Sequence, residues 1–373
     1  MSFAAAGQGG PALQRLDFAA LAGFAEDDLA PAFAAFRASA EAIVTQSAPL
    51  RAGLPPSAAL IAAADAAMRL GDASGEAARA FFTGQFRPHR IKAGPAFFTG
   101  YFEPVVEGSL TRSAEFAAPI LSRPPDLVTL PAGEQLSGPD GPLQAGLRAP
   151  DGSLAPCPDR AAIEAGALDR RATPIVWLHD PVEVFIIQVQ GSARVKLPEG
   201  RMLRLSYAGR NGWPYTSIGR ILVEEAHIAP AEMSLARLKE WIRENGQAIN
   251  ESGRALMQRN RSYIFFQAEE MFGDAPGPTG AQGVSLVPLR SLAVDRTMWA
   301  YGLPVWVDAE LPWHQPTPTA FRRLMIAQDT GSAIVGQKRA DIYVGSGDQA
   351  GRIAGGFRHT GEMIVLLPRG EEP

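Results

Sequence analysis

The sequence predicts a mainly β protein with helices at its N-terminus, and three observations carry that expectation. The first 80 residues hold 28 alanines and repeat apolar residues at helical spacing. From Ile91 onward, glycine, proline and β-branched or aromatic runs dominate, as in short strands divided by tight turns. The chain has 373 residues, too many for one ordinary core, so two domains are expected.

Taken in order, Phe18, Leu21, Ala22 and Ala25 share the face of a first helix, and Leu29, Phe33, Phe36 and Ala40 that of a second, with Asp27 and Asp28 suited to its start. Leu60–Leu70 reads as a third helix between Pro55-Pro56 and Gly71, and Glu76–Phe86 as a fourth, ended by Pro88. Candidate strands follow at Phe97–Glu103, Ile175–Trp177, Val182–Gln190, Ala193–Lys196 and Met202–Tyr207. Helices are expected at Ile218–Glu225 and at Leu235–Asn245 after a Ser234 cap. Later strands are Ile264–Gln267, Ser291–Val294, Val305–Val307, Arg322–Ala327, Ile342–Val344 and Met363–Leu367. Strands this short point to barrels or sandwiches rather than a parallel sheet. Pro124–Pro158 and Asp274–Gln282 read as flexible connectors, and no repeat of 20–50 residues is visible.

Composition narrows the function. Thirty-five basic residues against 39 acidic give a net charge of −4, so no bulk positive field exists to hold a polyanion, and no nucleic-acid partner is expected. The single cysteine, Cys157, excludes an intrachain disulfide and any CxxC metal site. Five histidines lie scattered without HxH or HExxH, which disfavours a histidine-built metal site; no metal and no cofactor are expected. No stretch reaches 18 apolar residues, and Met1–Gly10 lacks the basic start and apolar core of an export signal.

The C-terminal region carries the sharpest chemical signal. Leu324, Met325 and Ile326 lead into Asp329-Thr330-Gly331-Ser332, and twelve residues after Asp329 comes Asp341, which shares a strand face with Tyr343. Two carboxylates at facing strand ends raise one pKa by like-charge repulsion, as an acid catalyst requires. Holding an aspartic acid half-protonated at neutral pH lifts its pKa by about 3 from about 3.9, roughly 4 kcal/mol. The plain alternative is that both side chains cap turns. Asp329-Thr330-Gly331 also matches the loop of aspartic proteases, but it occurs once, so a protease would be a homodimer. The glycine run lacks the spacing of a phosphate-binding loop.

Three further segments stand out: Phe98–Pro104, Ile187–Ala193 and Ser206–Tyr215. Read as a strand, the second places the amides of Gln188 and Gln190 on one face. Amides beside tyrosines and a tryptophan suit sugar binding, though a partly buried sheet would look the same.

These motifs together resemble the lytic murein transglycosylase A (MltA) family over nearly the whole chain. The resemblance rests on Thr99–Pro104, Val189–Ser192, Ser206–Gly212, Ser217–Arg220 and the C-terminal aspartate block, in the family's order. The C-terminal part looks like the three-aspartate (3D) module, with Asp295, Asp329 and Asp341 as the three. What the resemblance implies is a double-psi β-barrel domain built from residues 1–107 and 271–373, a β-rich glycan-binding insert at 108–270, and a groove between them. It also implies a lyase that cuts the β-1,4 bond between N-acetylmuramic acid and N-acetylglucosamine in peptidoglycan, leaving a 1,6-anhydro ring. Asp341 falls on the catalytic position and Asp329 beside it. Thr99, Tyr101, Gln190, Tyr207 and Gly331 fall on substrate-binding positions, and Asp295 on a supporting one. The expected partner is the glycan strand, with other cell-wall enzymes as candidates, and the expected state is a monomer in the periplasm or cell envelope. Family members often carry a lipobox cysteine, which is not seen here, and Ser332 and Val335 replace a common glycine and lysine. The alternatives are a non-catalytic glycan-binding barrel protein and the homodimeric protease.

Overall fold

A computed structural model describes residues 11–131, 133–273 and 276–371. Residues 1–10, which lack the features of an export signal, and 274–275 of the expected second connector lie outside the described residues. The chain divides into two compact units.

The first unit comprises Met1–Tyr101, Thr279–Gly345 and Gly356–Pro373. Its α-helices among the described residues are Ala30–Val44, Ala58–Leu70 and Gly75–Gln85. The last two begin where Ser57 and Ser74 accept the N–H of Leu60 and Ala77, satisfying donors that the first turn leaves open. Gly71 ends the second with a φ of 73°. Phe33, Phe36, Phe81, Phe82 and Phe86 form a buried aromatic cluster with largely edge-on rings. Two local expectations change. The first helix is reduced to a 3₁₀ turn, Phe18–Ala20, because Gly23 turns the chain at a φ of 78°. Asp27 does not cap a helix; it is buried, and both its carboxylate oxygens accept from Arg290 at 2.7 Å.

An eight-stranded sheet fills this unit. Six of its strands pair in a closed ring: Ala96–Glu103, Arg358–Pro368, Pro304–Leu311, Thr319–Asp329, Ser291–Val294, Arg339–Ser346 and back to Ala96–Glu103. Ser291–Val294 runs parallel to Thr319–Asp329 and antiparallel to Arg339–Ser346. Phe86–Ile91 joins outside the ring on Arg358–Pro368, so Pro88 lies in a strand and the helix before it has already ended at Gln85.

The second unit comprises Phe102–Pro278 and Ser346–Gly355. Its six-stranded sheet orders Ile264–Met271, Met202–Arg210, Ser192–Lys196, Val105–Ser109, Pro174–Leu178 and Ala118–Leu121. Ser234 accepts the N–H of Arg237 and opens the helix Leu235–Glu244. Glu103 is fully buried and held by Arg194, Arg204 and the Ser346 hydroxyl, so its motif position serves an internal ion network.

Two expectations fail in this unit. Pro124–Pro158 is not a bare connector: it contains the strands Leu127–Thr129, Leu136–Gly138, Gly141–Leu143, Ala145–Arg148 and Leu154–Pro156. Their length, three or four residues, hides them among glycines and prolines, but Leu127, Ala145, Leu147 and Cys157 bury against Tyr263 and Phe265. Val182–Gln190 is not a strand but most of the α-helix Pro181–Gln190. Asp180 caps it through the Glu183 N–H, Pro181 opens it, and Gly191 closes it in the left-handed region at a φ of 85°. A helix buried nearly all round reads as an unbroken apolar run, which periodicity cannot tell from a buried strand.

Candidate active site

The site is built on the sheet of the first unit. Asp329 ends the strand Thr319–Asp329, and Asp341 lies near the start of Arg339–Ser346. Between them runs Ser291–Val294, whose Ala293 is the register partner of both aspartates. A register shift on the Asp329 side leaves Gln328 as an extra residue, a bulge that re-aims the strand end. Residues 99 and 101 of Ala96–Glu103 share one strand face, which carries both side chains to the carboxylates.

Each carboxylate has its own donors. Oδ1 of Asp329 accepts the N–H of Ala281 at 2.9 Å and of Thr330 at 2.8 Å, while Oδ2 accepts the Tyr101 hydroxyl at 2.9 Å. Oδ1 of Asp341 accepts the Thr99 hydroxyl at 2.6 Å, and Thr99 in turn accepts from Nη2 of Arg339 at 2.7 Å. The rings of Tyr101 and Tyr343 pack 5.4 Å apart, and Tyr343 is fully buried.

Burial raises the pKa of both aspartates. For Asp329, the three donors and the charge of Arg51 oppose the rise. For Asp341, Arg339 and the Thr99 hydroxyl oppose it, and the Asp329 charge adds to it. Desolvation therefore leads and like-charge repulsion is the smaller effect, the reverse of the emphasis expected from sequence. Although both residues keep some surface open, their carboxyl groups are enclosed by protein. Burial, then Asp329, pushes the Tyr101 phenol well up, so Tyr101 stays protonated and donates.

The other sequence-derived residues fall in different places. Gly331 opens the loop after Asp329, where its carbonyl accepts the N–H of Ile334. Asp295 holds that loop's far end: Oδ2 accepts the Gly336 N–H at 2.7 Å, and Oδ1 accepts both the N–H and the hydroxyl of Thr297. Burial alone would raise its pKa, but these bonds hold it below the ordinary value. Gln190 and Tyr207 belong to the second unit. Gln190 accepts the N–H of Phe102 at 3.1 Å. Gln188 does not share its face, because two residues along a helix turn about 200°; it is buried, accepting from Arg160 at 2.6 Å and donating to the Ile264 carbonyl. Cys157 is buried, which pushes its thiol up to about 12 and keeps it neutral.

Five residues of this site escaped the sequence reading: Ala281, Ala293, Gln328, Arg339 and Arg51, which donates to the Thr330 carbonyl at 3.1 Å. Only Arg339, two residues before Asp341, carried a local signal. Among the described residues no group of three His, Cys, Asp or Glu could hold a metal ion, and no helix is long and apolar enough to cross a membrane.

Comparison with known proteins gives a consistent picture. The MltA specific insert domain matches residues 97–267, and the 3D domain matches residues 290–367. The membrane-bound lytic murein transglycosylase A of Vibrio cholerae is 34% identical over 214 residues, covering 56% of this chain and 56% of that protein. Its counterpart in Escherichia coli K12 is 32% identical over 267 residues, covering 70% of this chain and 63% of that protein. The chain thus spans less than two thirds of these curated relatives. The crystal structure of a membrane-bound lytic murein transglycosylase from Agrobacterium tumefaciens superposes with a TM-score of 0.84 at 34% identity, covering 96% of this chain and 98% of that one. With both domains matched in order and a solved relative covered almost end to end, the chain belongs to the MltA family and carries its 3D domain.

Proposed function

We propose that this chain is a lytic transglycosylase that cuts the β-1,4 bond between N-acetylmuramic acid and N-acetylglucosamine in peptidoglycan and leaves a 1,6-anhydromuramyl end. The observation that carries the reading is the pair Asp329 and Asp341, two enclosed carboxyls with raised pKa on either side of Ala293, in a member of the MltA family.

Asp341 is the single acid and base. Protonated, it gives its proton to the glycosidic oxygen as the C1–O bond breaks; the muramyl C6 hydroxyl then bonds to C1 and returns its proton to Asp341. A hydrolase needs a second carboxylate to activate water or to form a covalent intermediate. Here the nucleophile belongs to the substrate, and intramolecular attack supplies a large effective molarity. Asp329, an acceptor for three donors, tunes Asp341 through its charge.

Thr99, Tyr101 and Gly331 contact the sugar near the acid, and Gln190 and Tyr207 bind glycan on the insert. The closed ring of six strands supports a double-psi β-barrel made from residues 1–107 and 271–373, with 108–270 as the insert. The substrate places the protein in the periplasm or cell envelope, acting as a monomer without cofactor, with other cell-wall enzymes as candidate partners. Family membership leaves the homodimeric protease without support.

The test is digestion of purified murein followed by mass spectrometry of the fragments. Muramyl ends lighter than the hydrolytic product by one water are expected, and reducing muramic acid ends overturn the reaction type. Binding to murein with no fragments released would favour the non-catalytic glycan-binding protein.

A further inference from the structure

We infer that Arg339 is a positioning residue for the acid–base step: by donating to the Thr99 hydroxyl, it commits that hydroxyl's own hydrogen to Oδ1 of Asp341 and makes Oδ2 the oxygen that carries the transferable proton. The inference deepens the transglycosylase reading and rests on it.

The hydrogen bonds leave little choice. Nη2 of Arg339 lies 2.7 Å from Oγ1 of Thr99, which lies 2.6 Å from Oδ1 of Asp341. A guanidinium has donors and no acceptor. The Thr99 hydrogen therefore cannot point at Arg339, and its partner is Asp341. Oδ1 is then an acceptor, and a proton placed there would face a hydroxyl hydrogen already aimed at it. The carboxyl's own proton belongs on Oδ2. From Oδ2 it passes to the glycosidic oxygen as the C1–O bond breaks, and the C6 hydroxyl proton returns to Oδ2 as the C6-oxygen-to-C1 bond forms. Arg339 and Thr99 keep their protons throughout.

Arg339 is itself held in place. Nη1 donates to the Ala340 carbonyl at 2.5 Å, and the guanidinium lies 5.2 Å from the Phe97 ring centroid. Arg339 and Asp341 share a strand face, and Thr99 reaches them from a strand 240 residues earlier. Asp341 is faced by Arg339 and Tyr343 on its own strand, by Thr99 and Tyr101 on Ala96–Glu103, and by Asp329 on Thr319–Asp329. Arg339 is the cation among these groups. Its charge opposes the rise that burial imposes on Asp341, so removing it lets the pKa climb further.

The experiment compares the full chain with Arg339→Met, Arg339→Lys, Thr99→Val and the Arg339→Met/Thr99→Val double variant. The readouts are murein solubilisation across pH and a ¹³C carboxyl titration of Asp341. For Arg339→Met, kcat should fall on the order of tenfold, the loss of one charge-assisted hydrogen bond, with KM nearly unchanged. Its alkaline limb and the Asp341 titration midpoint should both move up. Arg339→Lys keeps the charge, so it should hold the limb in place while recovering only part of kcat. In the Thr99→Val background, Arg339→Met should cost little more, because the two residues act as one unit. Should Arg339→Met not fold, Arg339→Gln is held to the same outcomes. Full additivity in the double variant, or an unmoved limb, overturns the inference. A wild-type chain that releases no anhydromuramyl product refutes the proposed function instead; the carboxyl titration then still decides, and an Asp341 midpoint indifferent to Arg339→Met overturns the inference.

Discussion

Asp329 and Asp341 stand opposite the same residue, Ala293, from the two strands that flank it. Two strand spacings, about 10 Å, separate their backbones. Register partners project to one face of a sheet, so both aspartates present their side chains on the face that carries the methyl group of Ala293, a residue 3% exposed. The smallness of that side chain gives the carboxyls room to interact.

Ala293→Leu should therefore wedge the pair apart. Overpacking a buried position typically costs about 1–3 kcal/mol, and here kcat should fall as well, on the order of tenfold or more. Chemical denaturation and murein turnover measure the two effects separately. An Ala293→Leu protein with unchanged kcat would show that the spacing does not matter.

Asp341→Asn removes the transferable proton while keeping the shape. Anhydromuramyl product should drop by roughly 10²–10⁴-fold, the usual worth of a general acid. Near-full activity in this variant would move the acid elsewhere, with Asp329 as the first candidate.

Stability should depend on pH with opposite signs at two aspartates. Asp341, raised by burial, binds a proton more tightly folded than unfolded. Between its unfolded value of 3.8 and its higher folded value, stability falls as pH rises, and the loss persists above that window. Asp341→Asn escapes this loss, so its melting temperature should gain on wild type as pH rises from about 3.8. Asp295 is lowered by its hydrogen bonds against the effect of burial, so its contribution is present above 3.8 and fades as pH falls through the folded value. Asp295→Asn should melt below wild type at neutral pH and converge with it in acid. Melting differences that stay flat across pH would contradict both assignments.

Behind Asp329 lies a fully buried polar hub. Nε2 of Gln328 donates to the Ala35 carbonyl and to the Ser39 hydroxyl, and its Oε1 accepts from Ser291, while Ser39 donates to Gln282. Gln328→Leu removes the bonds to Ala35, Ser39 and Ser291, leaves Ser39 and Ser291 only their bonds to Gln282 and the Val287 N–H, and loosens the strand end that carries Asp329; each polar group left unpaired costs about 1–3 kcal/mol. Thermal melts should show a marked loss, with a smaller fall in kcat. Wild-type stability in this variant would mean that the hub reorganises without penalty.

Local chemistry made part of this legible. Helices with a serine cap or a glycine stop could be read because caps and periodicity act within a few residues, as at Ser234 and Gly71. Asp329 and Asp341 could be singled out because turn and strand signals surround each of them in the sequence. The helix Pro181–Gln190 could not be recognised from its apolar run, because burial on nearly every side erased its period, although Asp180, Pro181 and Gly191 marked its ends. What tertiary structure alone decided is the environment of the acid. The Thr99–Asp341 bond joins residues 242 apart, Tyr101 and Asp329 are 228 apart, and Ala293 gains its role from two strands that flank it. Strand pairing across such separations obeys no local rule. The candidate acid was therefore readable from sequence, while the groups that hold and tune it became visible only once the sheet was closed.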